Sequence, residues 1–236
     1  MAIANMLDCT PILVPSTGFD LGSYEYISRR IDAEYFCFLN SKSVIVADNW
    51  LRFLHDHCVG PGIGATGASA SFESLYTDHV RSISEGRISR HSLQSVLRRS
   101  FANRWRHRIH FPSYPNPHLR TNAFMMNSQV FRRLNFRRIR SRIDTARLEN
   151  GRISITRQLR QMGLEALVVG KDGAAYRQPD WSRSATFWQL DQGNLLVADN
   201  QTEKYSLANP AERTRLSRMA WGADLSKLDV DAAANS

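Results

Sequence analysis

Tyr35-Phe36-Cys37-Phe38-Leu39-Asn40-Ser41-Lys42-Ser43 is the stretch on which the fold turns. A strand with one wet face alternates apolar and polar residues, whereas a continuous apolar run marks a strand covered on both faces, as in a parallel sheet flanked by helices. The run of five therefore predicts a central strand of an α/β sheet. It stops at a polar, turn-forming quartet, and the carboxyl ends of strands in open α/β sheets are where ligands bind. Asn40 and Lys42 thereby become candidate binding residues.

Working outward, Ile12-Leu13-Val14 is a β-branched run ended by Pro15 and a Gly-bearing loop through Ser23, which predicts a strand. Ser23 is placed to cap a helix with Tyr24, Ile27 and Ile31 on one face. On the other side, Asp48 reads as the cap of an amphipathic helix carrying Trp50, Leu51 and Leu54. Gly60-Pro61-Gly62 breaks the chain, and Ile63-Gly64-Ala65-Thr66-Gly67 reads as a strand flowing into a loop of small residues through Ser74. Strand, helix, strand in succession predicts a doubly wound, mostly parallel sheet.

From about 77 to 111 the pattern changes to Arg and His separated by Ser, including Arg98-Arg99 and Arg104-Trp105-Arg106-His107-Arg108, and predicts a basic helical insertion. Beyond the proline-rigid loop Ser113-Tyr114-Pro115-Asn116-Pro117, His118-Leu119-Arg120-Thr121-Asn122 leads into a strand over 123–126 and a helix over 128–134. Glu149 falls at the start of a segment with Ile153, Ile155, Leu159 and Met162, closed by Gly163 as helices commonly are. A strand over 164–169 and the turn Lys171-Asp172-Gly173 follow. The last third carries Trp181, Phe187-Trp188, Asp191-Gln192 and Asp199-Asn200-Gln201-Thr202, then a helix over 211–221 and a polar tail after about Asp224.

A chain of 236 residues with 42% hydrophobic content fits one domain, here 1–224 with a tail at 225–236. No apolar run approaches the roughly 20 residues that span a bilayer, and the amino end lacks the pattern of a secretory leader, so a cytoplasmic location is expected. Cys9, Cys37 and Cys58 share no metal-ligand spacing and read as reduced structural thiols. The net charge is +9, and with lysine only at 42, 171, 204 and 227 the other 27 of the 31 basic residues are arginine. Arginine forks suit phosphate and carboxylate, although codon bias produces the same enrichment. P-loop, zinc-ligand, nucleophile-elbow and dinucleotide signatures do not occur.

Gly18-Phe19-Asp20-Leu21-Gly22-Ser23 together with Phe38-Leu39-Asn40-Ser41 resembles family-two glycosyltransferases and their relatives of the GT-A fold. In that family a glycine-bearing loop and helix lead to a strand ending in an acidic turn, 122–126 would be an acceptor-side strand, and Glu149 would lie in the segment bearing the family's Glu-Asp pair. The resemblance spans about 12–169. It implies a GT-A-like, Rossmann-like mixed, mostly parallel sheet flanked by helices, a nucleotide-sugar donor, a saccharide acceptor and an inverting hexosyl transfer in surface-polysaccharide synthesis. The family opens with a strand, helix and strand that bind the base and ribose; about ten residues precede Ile12 here, so the resemblance implies a chain lacking that segment, complete as an enzyme with upstream sequence or a partner chain and otherwise a truncated, inactive remnant acting through protein contacts. The second acidic position of the family's metal turn falls at Lys42, which repels a divalent cation such as Mn or Mg and suits direct contact with a diphosphate; no metal ligand is assigned.

The resemblance makes Glu149 the candidate base for deprotonating an acceptor hydroxyl, a carboxylate's role in inverting transfer. Asp20 and Asn40 are expected at neighbouring strand ends, although turn chemistry accounts for both residue types equally. His118, Arg120 and Asn122 alternate at period two, which would set their side chains on one pocket wall. Asp191 and Trp188 are candidates for holding a sugar by carboxylate hydrogen bonds beside an aromatic face, with core packing as the competing reading. A different class stays open: Trp105 amid the arginines of 81–108 would let the insertion act as a non-catalytic nucleic-acid or anionic-membrane binding module.

Overall fold

The computed structural model describes residues 11–14, 19–84, 108–136, 139–223 and 225. Five strands form the main sheet in the order β1 (Tyr35–Leu39), β6 (Ala123–Asn127), β3 (Ile63–Gly67), β7 (Glu165–Val169), β8 (Ala175–Tyr176). Two short ribbons accompany it: β2 (Val44–Ile45) with β9 (Val197–Ala198), and β4 (Ala70–Ser71) with β5 (His118–Leu119). The helices are α1 (Phe19–Ser28), α2 (Trp50–Cys58), α3 (Leu75–Ser84), α4 (Ser128–Arg133), α5 (Arg142–Asn150), α6 (Ile155–Gln161), α7 (Asn200–Leu207) and α8 (Pro210–Trp221), with a 3-10 turn at Gln178–Arg183.

The α/β reading and the mixed sheet hold, but the sheet is not mostly parallel. β1, β3 and β7 share a direction, β6 runs against both β1 and β3, and β3 with β7 is the parallel pairing. β1 is also not central: among the described residues it stands at one end of the sheet. Its unbroken apolar run reflects cover on both faces all the same. Phe36 and Phe38 join a core containing Leu21, Phe124, Met126, Phe131 and Leu159. Tyr35, Cys37 and Leu39 pack against the opposite core of Leu54, Cys58, Met125, Val169 and Leu196. Helix α2 covers that second face, with α1, α4 and α6 on the first. Cys37 and Cys58 are free thiols whose acidity is suppressed by burial, Cys37 to about 12; Cys9 lies outside the described residues.

Several local expectations shift. Ile12-Leu13-Val14 joins no ladder, and Leu13 is 93% exposed, so among the described residues no strand precedes α1. Helix α1 begins at Phe19 instead of after Ser23; Asp20 sits in its first turn, where a carboxylate suits the helix dipole, and Ser23 Oγ donates back to the Phe19 carbonyl at 3.0 Å. Helix α2 is flanked by Asn49 in the left-handed region (φ 56°) with no side-chain cap, leaving Asp48 outside. The single segment expected from Glu149 is two helices. Ser141 caps α5 and Ser154 caps α6, each side chain accepting a backbone N–H. The break falls at Gly151, where a Cβ would lie 2.6 Å from the Arg147 Cα and carbonyl oxygen.

Helix α3 opens the expected basic insertion, whose stretch 85–107 lies outside the described residues. At the far end, Leu225 is buried and its carbonyl accepts from Leu190 N at 3.0 Å, so the packed chain reaches one residue into the expected tail; 226–236 lie outside the described residues. Among the described residues no helix is long and apolar enough to cross a membrane.

Candidate functional site

Side chains gather where the carboxyl ends of β1 and β3 meet the amino end of β6. Backbone bonds tie the three together: Asn40 N to Asn122 O at 3.0 Å, Ala68 N to Ala123 O at 3.0 Å, and Arg120 N to Ser69 O at 3.1 Å. The residues between β5 and β6, which carry Arg120, Thr121 and Asn122, are thus fixed against both strand ends.

At the end of β1 the Asn40 carboxamide folds into its own turn, its Oδ1 accepting from Lys42 N at 2.9 Å and from Ser43 Oγ at 3.1 Å. Ser43 Oγ also lies 2.7 Å from the Asn122 carbonyl. Lys42 is exposed. Hard divalent cations need several oxygen ligands; here the Asn40 amide oxygen is committed to the turn, Ser43 Oγ sits on the Asn122 carbonyl, no carboxylate is present and an ammonium follows, so the turn does not fit such an ion. Among the described residues no three His, Cys, Asp or Glu side chains are grouped to hold a metal.

Asn122 is 2% exposed; its Oδ1 accepts from Ser69 Oγ at 3.1 Å, while its Nδ2 has no partner among the described residues. Arg120 is committed elsewhere. Its guanidinium donates to Asp199 Oδ2 at 2.6 Å and lies 4.1 Å from the centroid of the Phe187 ring, with side-chain exposures of 11% for Arg120 and 2% for Asp199. The other oxygen of Asp199 caps α7, accepting from Gln201 N and Thr202 N at 2.9 Å, and the Thr202 hydroxyl completes the capping box. One carboxylate therefore joins α7 to the loop between β5 and β6. Trp188 stacks on Phe187 at 4.5 Å and sends its Nε1–H to the Gln201 carbonyl. At 3% exposure it is a wall behind Arg120 rather than an open face.

Glu149 reaches the same loop from the last turn of α5, where its Oε1 accepts the Thr121 N–H at 3.1 Å. His118 is buried with Nδ1 2.8 Å from the Asn116 carbonyl; burial holds its ring below the ordinary histidine value, opposed by the nearby Glu149 carboxylate and reinforced by Arg120 and Arg157.

A second carboxyl faces this group, and sequence reading passed it over. Glu73 follows β4, and its Oε2 accepts from Ser71 Oγ at 3.0 Å while its own N–H donates to the same hydroxyl. Burial pushes its carboxyl up to about 7, Asp78 and Glu149 add to the rise, and Arg120 and the Ser71 hydroxyl oppose it. The available signal was an acid in a small-residue loop just past a strand's carboxyl end, Ser71-Phe72-Glu73-Ser74.

Other candidates stand apart. Asp20 is exposed on α1, with its electrostatic neighbour Tyr24 stacked on Phe38 at 4.4 Å. Asp191 is exposed and turns back on Gly193 N at 2.9 Å. Within the basic stretch 81–108, Arg81 lies 3.7 Å from Asp78, while Trp105 and the arginines between 85 and 107 lie outside the described residues. A cleft of about 390 Å³ bordered by Arg160, Leu164, Glu165, Arg177 and Trp181 opens at the amino end of β7, opposite the strand ends just described. Comparison with known proteins gives no relative: no family model, curated protein or solved structure matches the chain.

Proposed function

We propose that this chain transfers a glycosyl group from a nucleotide-sugar donor to a hydroxyl of a saccharide acceptor, with inversion, on a GT-A-like fold. Such a protein would serve in surface-polysaccharide synthesis. The observation that carries the reading is the convergence of the Asn40 to Ser43 turn, Asn122 and Glu149 at the carboxyl ends of β1 and β3. That is the end of an α/β sheet at which ligands bind.

The chemistry divides between two sides of this group. Inverting transfer needs a carboxylate to accept the hydroxyl proton as the new bond forms, and positive charge or donors where negative charge grows on the departing diphosphate. Glu149 offers the carboxylate. Its Oε1 holds Thr121 N, and among the described residues its second oxygen has no hydrogen-bond partner. Lys42 is exposed beside the turn and offers a point charge for a phosphate. Arg120 does not serve as that cation, because Asp199 and Phe187 occupy its guanidinium; it holds the loop that carries Thr121 and Asn122.

The test is a melting-temperature screen against UDP, GDP, CMP and their sugars, with and without manganese. A ligand that binds only the native state at 100 times its Kd adds about 2.7 kcal/mol, which for a chain of this size raises Tm by roughly 5–10 °C. A rise with one nucleotide class, lost in Lys42→Glu, is the expected result. No rise with any of them refutes the reading.

A further inference from the structure

We infer that the cleft at the amino end of β7 is a second ligand site, built for a small organic monocarboxylate with an apolar body. It lies at the end of the sheet away from Asn122 and Glu149 and stands independently of the transfer reading. At about 390 Å³ it has the volume of a small-molecule pocket. Three elements frame it: the last turn of α6, which carries Arg160, the start of β7, which carries Glu165 and Ala166, and the 3-10 turn, which opens with Gln178 and Pro179.

The buried side of the cleft is apolar, because the polar groups there are already engaged. Trp181 is fully buried and donates its Nε1–H to the Tyr176 carbonyl at 3.0 Å, and the Thr156 hydroxyl accepts from Leu119 N at 2.9 Å. Leu164, Ala166 and Pro179 add apolar surface beside them. A ligand seated here gains by removing its own apolar surface from water.

The rim is charged, and its charges do not cancel. Arg160 and Arg177 border the cleft with one carboxylate, Glu165, so two positive charges against one negative leave a single positive charge over. Arg177 pairs with Glu165 at side-chain exposures of 63% and 48%; a pair so open contributes little and yields to a competing anion. Arg160 bonds the neutral Gln178 carboxamide and makes no ion pair among the described residues. Gln178 thus holds that guanidinium in place without neutralising it, which lowers the cost of ordering it around a ligand. One unmatched positive charge calls for one negative charge, and the planar guanidinium fork matches a carboxylate in two parallel hydrogen bonds. A phosphate dianion leaves a charge uncompensated beside an apolar wall.

The test titrates the isotope-labelled full chain with naphthoate and with its neutral isostere naphthamide, and follows the backbone amide signals. The amides of Leu164, Ala166 and Gln178 are expected to shift with naphthoate at a Kd of about 1 mM, and naphthamide is expected to bind at least tenfold more weakly. Arg160→Gln removes a charge-assisted bond and should weaken naphthoate binding about 10- to 100-fold. Glu165→Gln frees Arg177 and should strengthen it. Arg160 and Glu165 are exposed, so both variants keep the fold, which unmoved amides in β1 and β6 verify. No shift of the cleft amides at about ten times that Kd, an equal response to naphthamide, or Arg160→Gln within twofold of wild type overturns the inference. The same shifts from inorganic phosphate at equal concentration also overturn it, because the apolar body then contributes nothing.

Discussion

Replacing Arg120 with Met keeps much of the side chain's length and removes its charge, which isolates the buried pair at the centre of the site. In the native chain Asp199 is 2% exposed, with Oδ2 at 2.6 Å from Arg120 and Oδ1 held by two backbone N–H groups of α7. Removing one partner of a buried ion pair typically costs 3–5 kcal/mol, because the other charge is left uncompensated. The helix cap keeps half of Asp199 satisfied, so the loss falls toward the lower end, and the lost stacking on Phe187 contributes on the order of 1 kcal/mol. A total of about 3–4 kcal/mol follows, or a fall in Tm of roughly 6–16 °C for a chain of this size. Urea denaturation of Arg120→Met, Asp199→Asn and the double variant measures it as a cycle. Asn still caps α7 nearly as well as Asp, so the double variant should recover at least 1 kcal/mol relative to the sum of the two singles. Arg120→Met within 1 kcal/mol of wild type, or strict additivity in the cycle, would refute the clamp.

Three further outcomes follow from the same geometry. Because folding raises the Glu73 carboxyl from 4.5 to about 7, the native state holds a proton in that window that the unfolded chain has lost. Stability should therefore fall as pH rises from about 4.5 to 7, by roughly 1–3 kcal/mol. The lowered His118 ring works the other way below its ordinary 6.5, so the wild-type minus Glu73→Gln difference is the quantity to follow by urea denaturation across pH; a flat difference would contradict the assignment. Gly151→Ala places a Cβ 2.6 Å from Arg147 backbone atoms and should cost about 2–3 kcal/mol in thermal or urea unfolding while pulling Glu149 off Thr121. Trp188→Ala empties a fully packed position behind Phe187 and should destabilise by about 3–5 kcal/mol, whereas an open sugar-stacking residue would leave the unfolding midpoint nearly unchanged.

How much of this was legible beforehand depends on whether the cause is local. Tyr35 to Leu39 announces a strand covered on both sides because every residue of it must be apolar, and that is what its split between two cores requires. Its place at the end of the sheet and the reversed neighbour β6 are decided by chain connections that leave no mark on those five residues. The Ser141 and Ser154 caps and Gly151 were readable as a helix break, yet the apolar period from Ile153 to Met162 drew Glu149 into the wrong helix end. Asp199-Asn200 had the spacing of a cap, but its second role, as counter-ion to a residue 79 positions earlier, could not be read from either neighbourhood.

That last pairing also explains why the residue types most suggestive of anion binding are poor guides here. Arginine is abundant in the chain, and Arg120 at the candidate site is paired with Asp199. An arginine held this way has part of its fork spent on Asp199 and Ser69, while its charge still opposes the upward shift of the Glu73 carboxyl. Two glutamates from distant segments, Glu73 after β4 and Glu149 at the end of α5, are left to differ in environment: one is tied to a backbone N–H, the other to a single hydroxyl. The helix break at Gly151 and the clamp at Asp199 fix where Glu149 and the loop bearing Arg120 stand relative to one another.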